Sequence, residues 1–228
     1  MAGIIAASGS NKVFGVAPAS KILIVKATIE TNGVNLKTFA NAIDFAASVP
    51  EVNIVSISYS FLFDDPDIKK AIKNCLDAKK IVVAAIGNMH ILKTPDADTF
   101  PSSYNNGPSP NTGVLAIGAF DQKGALCSFS NWNNHLTFLA PGDFKVLTAG
   151  KGNTITNGSL TSIATAFTAG CIALMVSYLK ANNPQNIMAC IKALLDTCDD
   201  IGSTTGFEVQ SGYGRMNLRN AIAKIKTP

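Results

Sequence analysis

Five short apolar runs recur along the chain, separated by longer mixed segments. They are residues 21–27 (KILIVKA), 53–59 (NIVSISY), 81–86 (IVVAAI), 114–119 (VLAIGA) and 136–140 (LTFLA). Their continuous apolar character, rich in Ile and Val, is that of strands covered on both faces. Amphipathic segments stand between them. Residues 36–47 set Leu36, Phe39, Ala40, Ile43 and Ala47 on one helical stripe, and Asn35 is suited to cap it. Residues 67–78 repeat the pattern with Ile68, Ala71, Ile72, Cys75 and Leu76, and Lys79 and Lys80 follow where the helix dipole favours cations. Residues 186–197 and 218–225 form two further amphipathic helices. Strands alternating with helices require crossover connections, so the expected fold is α/β: a mostly parallel sheet with helices on both faces. At 228 residues a single domain can bury a core without a disulfide or metal staple.

Composition narrows the partners. Charged residues are only 15% of the chain against 47% hydrophobic, which excludes a disordered or coiled-coil protein. The net charge is +4, and of the 19 basic residues only Arg215 and Arg219 are Arg. The Lys residues are scattered rather than striped, so no nucleic-acid partner is expected. Residues 162–179 are 18 uncharged residues, the length of a short membrane span. They include Ser162, Thr165, Thr168, Gly170 and Ser177, and so predict a buried central helix with no membrane span. Cys75, Cys127, Cys171, Cys190 and Cys198 show no CxxC spacing and are odd in number. They predict buried free thiols, with no metal site, and favour a cytoplasmic compartment. No basic region precedes the apolar start, so no signal peptide is expected. Nucleotide-binding glycine motifs are absent. Residues 89–111 and 142–159 are long Gly-, Pro-, Asn- and Ser-rich loops, a length often functional.

The segment 160–170 (LTSIATAFTAG) opens the apolar helix with Ser162. A helix N-terminus offers unpaired N–H groups and the positive end of a dipole. Both stabilise an oxyanion formed when a Ser oxygen attacks a carbonyl.

This segment resembles the nucleophile motif G-T-S-M-A-[ST]-P-x-x-A-G of the subtilisin-like serine proteases, matching at Thr161, Ser162, Ala164, Thr165, Ala169 and Gly170. Further segments resemble that family in the same order: FGVAPAS at 14–20, NIVSIS at 53–58, VAAIGN at 83–88, FPSSY at 100–104, VLAIGAFD at 114–121 with CSFSN at 127–131, APG at 140–142 and GYGRMN at 212–217. The resemblance implies that Ser162 is the nucleophile and that Asn88 donates its side-chain amide to the oxyanion, beside the Ser162 N–H. It implies that Ser58, Tyr59 and Ser60 form the edge that pairs with a bound polypeptide substrate. It further implies that Ala85, Ile86 and Gly87 line the primary specificity pocket. Calcium is used by that family, and Asn11 within residues 8–12 could supply an oxygen, but no acidic cluster marks a metal site.

The departures are as specific as the matches. The family orders its triad Asp, His, Ser. No D-[ST]-G motif occurs here, and residues 1–7 (MAGIIAA) match only the tail of the His motif. The chain therefore reads as the C-terminal part of a subtilisin-like catalytic domain, N-terminally truncated, with Lys21–Ala27 and the strand at 53–59 flanking the position of a missing strand. His90 and His135, the two histidines present, have loop and turn settings rather than that of a helix-borne base. Leu160 and Ser60 replace family glycines and narrow the cleft, and Ala166 replaces a proline with little consequence. Without a base the Ser hydroxyl is a weak nucleophile at neutral pH. The expected function is a serine endopeptidase domain that is inactive as this chain alone, the alternative being a non-catalytic peptide-binding or scaffold protein. Oligomeric state is left open.

Overall fold

A computed structural model describes residues 1–9, 13–27, 34–89, 93–105, 113–143, 148–149, 154–156, 158–182 and 188–226. Four parallel strands form its sheet in sequence order: β1 (Ile54–Ile57), β2 (Ile81–Ala85), β3 (Leu115–Asp121) and β4 (Phe138–Asp143). Ile54 pairs with Ile81, Val83 with Leu115 and Ile117 with Phe138. Side chains of β2 alternate between two cores, which is why its sequence shows no polar alternation. Val82 and Ala84 face a core built with α2 (Leu36–Ser48) and α3 (Pro66–Asp77), through Phe39, Ile43, Ile68, Ile72 and Cys75. Ile81 and Val83 face the opposite core, formed with α4 (Thr161–Asn182) and α5 (Ala189–Asp196) through Ile172, Met175 and Leu194. The short α1 (Ala2–Ala6) buries Ile4 against Ile163 and Ala166 of α4. A final helix, α6 (Leu218–Lys226), buries Ala221. The expected doubly covered parallel sheet is thus the observed one.

Local chemistry explains the helix starts. Asn35 accepts from the Thr38 N–H at 3.0 Å, so it caps α2 as expected. Helix α3 begins one residue earlier than the expected segment 67–78, because Asp65 accepts from Ile68 N–H at 2.9 Å and Pro66 takes the first turn. Helix α4 is long and apolar enough to cross a membrane by length and composition, yet 67% of its apolar window is buried against the sheet. It packs on all four strands.

Several boundaries differ from expectation. Residues 21–27 form no strand: Ile22, Leu23 and Ile24 stay 39%, 47% and 71% exposed, and they have no ladder partner among the described residues. Strand propensity is realised only where a neighbour supplies the other half of the ladder. The strand expected at 136–140 is shifted to Phe138–Asp143, with Pro141 tolerated because β4 lies at the edge of the sheet. The loop at 142–159 contains a small antiparallel pair, β5 (Thr148–Ala149) with β6 (Ile155–Thr156). Of the helix expected at 186–197, residues 189–196 are helical, and residues 186–187 lie outside the described residues.

Lys80 is a buried charge with a clear job. Only 4% exposed, its Nζ donates to Val49 O at 2.6 Å and Val52 O at 2.8 Å, satisfying carbonyls where α2 ends. Lys80→Met leaves both carbonyls without this donor, and is expected to cost about 2 kcal/mol of stability in urea unfolding.

The thiols are free, four of them buried and Cys198 half-buried. Burial pushes Cys75 from an ordinary 9.0 up to about 11, and Cys127, Cys171, Cys190 and Cys198 up to about 12. The folded chain therefore keeps protons that the unfolded chain releases above about pH 9. This contribution to stability is complete below pH 9 and falls as pH rises toward 11–12. Urea midpoints measured from pH 8 to 11 should decline, and less steeply in Cys171→Ala.

Candidate active site

The site residues gather where the C-terminal ends of β1 and β2 meet the N-terminus of α4. The chain leaves β1 through Ser58, Tyr59 and Ser60, leaves β2 through Ile86, Gly87 and Asn88, and enters α4 at Thr161 and Ser162. Parallel strands all deliver their C-terminal ends to one side of the sheet, so this convergence follows from the topology.

Ser162 is half-buried and is held to the β1 exit by an exchange of hydroxyl bonds. Its Oγ donates to Ser58 O at 3.3 Å, and Ser58 Oγ donates to Ser162 O at 3.1 Å. The proton of Ser162 thus faces a backbone carbonyl. Asn88 reaches across to α4: its Oδ1 accepts from Thr161 N–H at 2.8 Å and from Thr161 Oγ1 at 2.9 Å. A backbone N–H can only donate, so these bonds fix which end of the carboxamide is oxygen. The Nδ2 end is left to donate elsewhere.

Gly87 has φ +104°, a region that L side chains rarely adopt. A Cβ there would stand 2.7 Å from Asn131 Nδ2 and 3.0 Å from Ser60 Oγ. Ser60 therefore closes on the β2 exit from the same side as Ser58. Tyr59 points away from Ser162, as strand alternation demands, and stacks on Phe61 at 4.9 Å and Phe39 at 6.0 Å. Ala85 and Ile86 are buried, and the Ile86 side chain packs with Leu136 and Leu139 in the core. Its carbonyl accepts from Thr99 Oγ1 at 2.8 Å and Asn131 Nδ2 at 3.2 Å.

The geometry brings Ser162, Asn88, Ser58, Ser60 and Gly87 together and turns Tyr59 and Ile86 into other packing. Leu160, directly before α4, is 43% exposed and donates its N–H to Gly142 O at 3.0 Å. Ala166 is fully buried. His135 belongs to a separate cluster, with Nδ1 2.6 Å from Asn105 Oδ1 and Nε2 3.2 Å from Asp98 Oδ1. It has no hydrogen bond to Ser162 among the described contacts. His90 and Asn11 lie outside the described residues, as do residues 10–12 of the segment considered for calcium. No group of three or more His, Cys, Asp or Glu side chains able to hold a metal occurs among the described residues.

Sequence reasoning did not assign roles to Thr161, Thr99 or Asn131. Thr161 and Asn131 stood inside motifs already noted and Thr99 directly precedes one, but their contacts at 73, 13 and 45 residues of separation are not legible in one dimension.

Comparison with known proteins places the chain in a family. The chain is 32% identical over 226 residues to a thermophilic serine proteinase of Bacillus sp. (strain AK1), covering 97% of this chain and 51% of that protein. It is 33% identical over 188 residues to the major intracellular serine protease of Bacillus subtilis (strain 168), covering 78% and 54%. The chain thus spans about half the length of these curated relatives. Among solved structures, the self-cleaved protease domain of PatA superposes with a TM-score of 0.83 at 27% identity, covering 99% of this chain and 81% of that one. The prenylagaramide maturation protease PagA gives 0.76 at 27% identity, covering 93% and 76%. Residues 1–214 match the family model of the subtilases, and the chain belongs to the subtilase family.

Proposed function

We propose that this chain carries the nucleophile and oxyanion half of a serine endopeptidase site. The observation that carries the reading is the Asn88 carboxamide, bound through its oxygen to Thr161 at the start of α4 and beside the Ser162 N–H. Ser162 Oγ attacks the scissile peptide carbonyl, and its proton passes to a base. The carbonyl oxygen becomes an oxyanion that takes hydrogen bonds from Asn88 Nδ2 and the Ser162 N–H, at the positive end of α4. Ser58–Ser60 offers an extended edge to the substrate backbone, and Ala85, Ile86 and Gly87 contribute backbone to the wall of a specificity pocket. The base and its orienting carboxylate are proposed to come from a segment preceding this chain, because the partner of Ser162 Oγ is a carbonyl that cannot retain the proton.

That same hydroxyl-to-carbonyl bond favours a second reading, a subtilase-fold module that binds extended peptides without cleaving them.

A fluorophosphonate probe separates the two, since it labels only an activated serine. The chain by itself should be labelled no faster than Ser162→Ala. Fused behind a subtilase segment bearing the Asp and His motifs, it should be labelled at Ser162. Failure of that fusion to react, with the fold intact by circular dichroism, would leave the peptide-binding reading. In the reactive fusion, Asn88→Ala should lower peptide turnover about 10²–10³-fold with KM little changed, a magnitude taken from a member of this same family.

A further inference from the structure

The last ladder bond of β2 is Ile86 N–H to Ile117 O at 3.1 Å. Beyond it, Gly87, Asn88 and Met89 have left the sheet, yet the Asn88 carboxamide must arrive at Thr161 in one orientation. Thr99 Oγ1 shares the Ile86 carbonyl, and one further buried residue reaches Ile86, Gly87 and Met89 together. Asn131, 1% exposed, donates Nδ2–H to Ile86 O at 3.2 Å and accepts from Met89 N–H at its Oδ1 at 2.9 Å. Its own backbone N–H donates to Gly87 O at 3.0 Å. The two residues before Asn88 and the one after it are therefore tied to a single side chain and its peptide group.

The arrangement is specific. Flipping the Asn131 amide would set acceptor against acceptor at Ile86 and donor against donor at Met89. The amide packs into the space that Gly87 leaves by having no side chain. Its mount is stiff: Ser130 Oγ accepts from Ala119 N–H of β3 at 3.2 Å and donates to Asn131 O at 3.0 Å, and Ser130 N–H donates to Cys127 O at 3.0 Å.

We propose that Asn131 is a positioning residue that holds the Asn88 carboxamide on Thr161. Its side-chain bonds and its N–H run to the Ile86–Met89 backbone, and its action on any reaction is through Asn88. The proposal deepens the reading of Asn88 as an oxyanion donor and rests on it for its functional meaning.

Amide hydrogen exchange of the whole chain, read by NMR, tests it. In Asn131→Ala, exchange of the Met89 and Thr161 N–H groups should quicken about 10-fold, while Val83 in β2 and Ile172 in α4 keep their rates. At acid pH, where a protonated Asn131→Asp carboxyl offers an oxygen to Met89 N–H and an O–H to Ile86 O, this variant should keep Met89 and Thr161 within about threefold of the parent. Unchanged Thr161 exchange in Asn131→Ala would overturn the proposal. So would loss of Thr161 protection in Asn131→Asp with Met89 still protected, and this second comparison decides the matter should the Ala variant not fold. The Asn88→Ala turnover measurement tests the oxyanion role by itself. Failure of that role leaves the exchange pattern standing, so the two failures are distinguishable.

Discussion

One hydrogen-bonded junction organises this molecule: the Asn88 oxygen at the end of β2 accepts both the N–H and the hydroxyl of Thr161 at the start of α4. The first N–H groups of a helix have no intrahelical partner. Here one of them is satisfied by a residue 73 positions away in sequence, so the helix cannot be seated without the strand. The same bond orients two groups at once. It directs the amide end of Asn88 away from Thr161, and it sets Ser162 one residue inside the helix, against the exit of β1.

The sheet supplies the rigid frame for that junction. Four parallel strands, covered on one face by α2 and α3 and on the other by α4 and α5, leave little freedom at their C-terminal ends. The low charge content follows from this double coverage, and so does the apolar length of α4, which lies across all four strands. The far side of β1 is different. β1 has a sheet neighbour only in β2 among the described residues, and the apolar residues Ile22–Ile24 remain exposed without a ladder.

Much of the candidate site was legible in the residues. Ser162 at the mouth of an apolar helix and Asn88 after an apolar strand carry local signals, and the ordered motifs shared with subtilases tied them together. The edge at 58–60 was legible as an edge, but the division of labour within it was not. Alternation along the strand sends Tyr59 into an aromatic group with Phe39 and Phe61, while Ser58 and Ser60 face Ser162 and Gly87. Ile86 follows the last residue of β2, and its side chain packs with Leu136 and Leu139, so only its backbone is left to serve the proposed pocket.

By itself the sequence determined the fold class, the helix cap at Asn35, and the residues proposed to attack and stabilise a carbonyl. These depend on periodicity, on near-neighbour hydrogen bonding and on residue chemistry, all of which are local. Tertiary structure alone decided which strands exist and which way the amides face. Residues 21–27 have strand composition but no ladder partner among the described residues, and a strand is a property of a pair. The roles of Thr161, Thr99 and Asn131 likewise arise only when distant segments meet, since each acts through a hydrogen bond whose partner lies on another element.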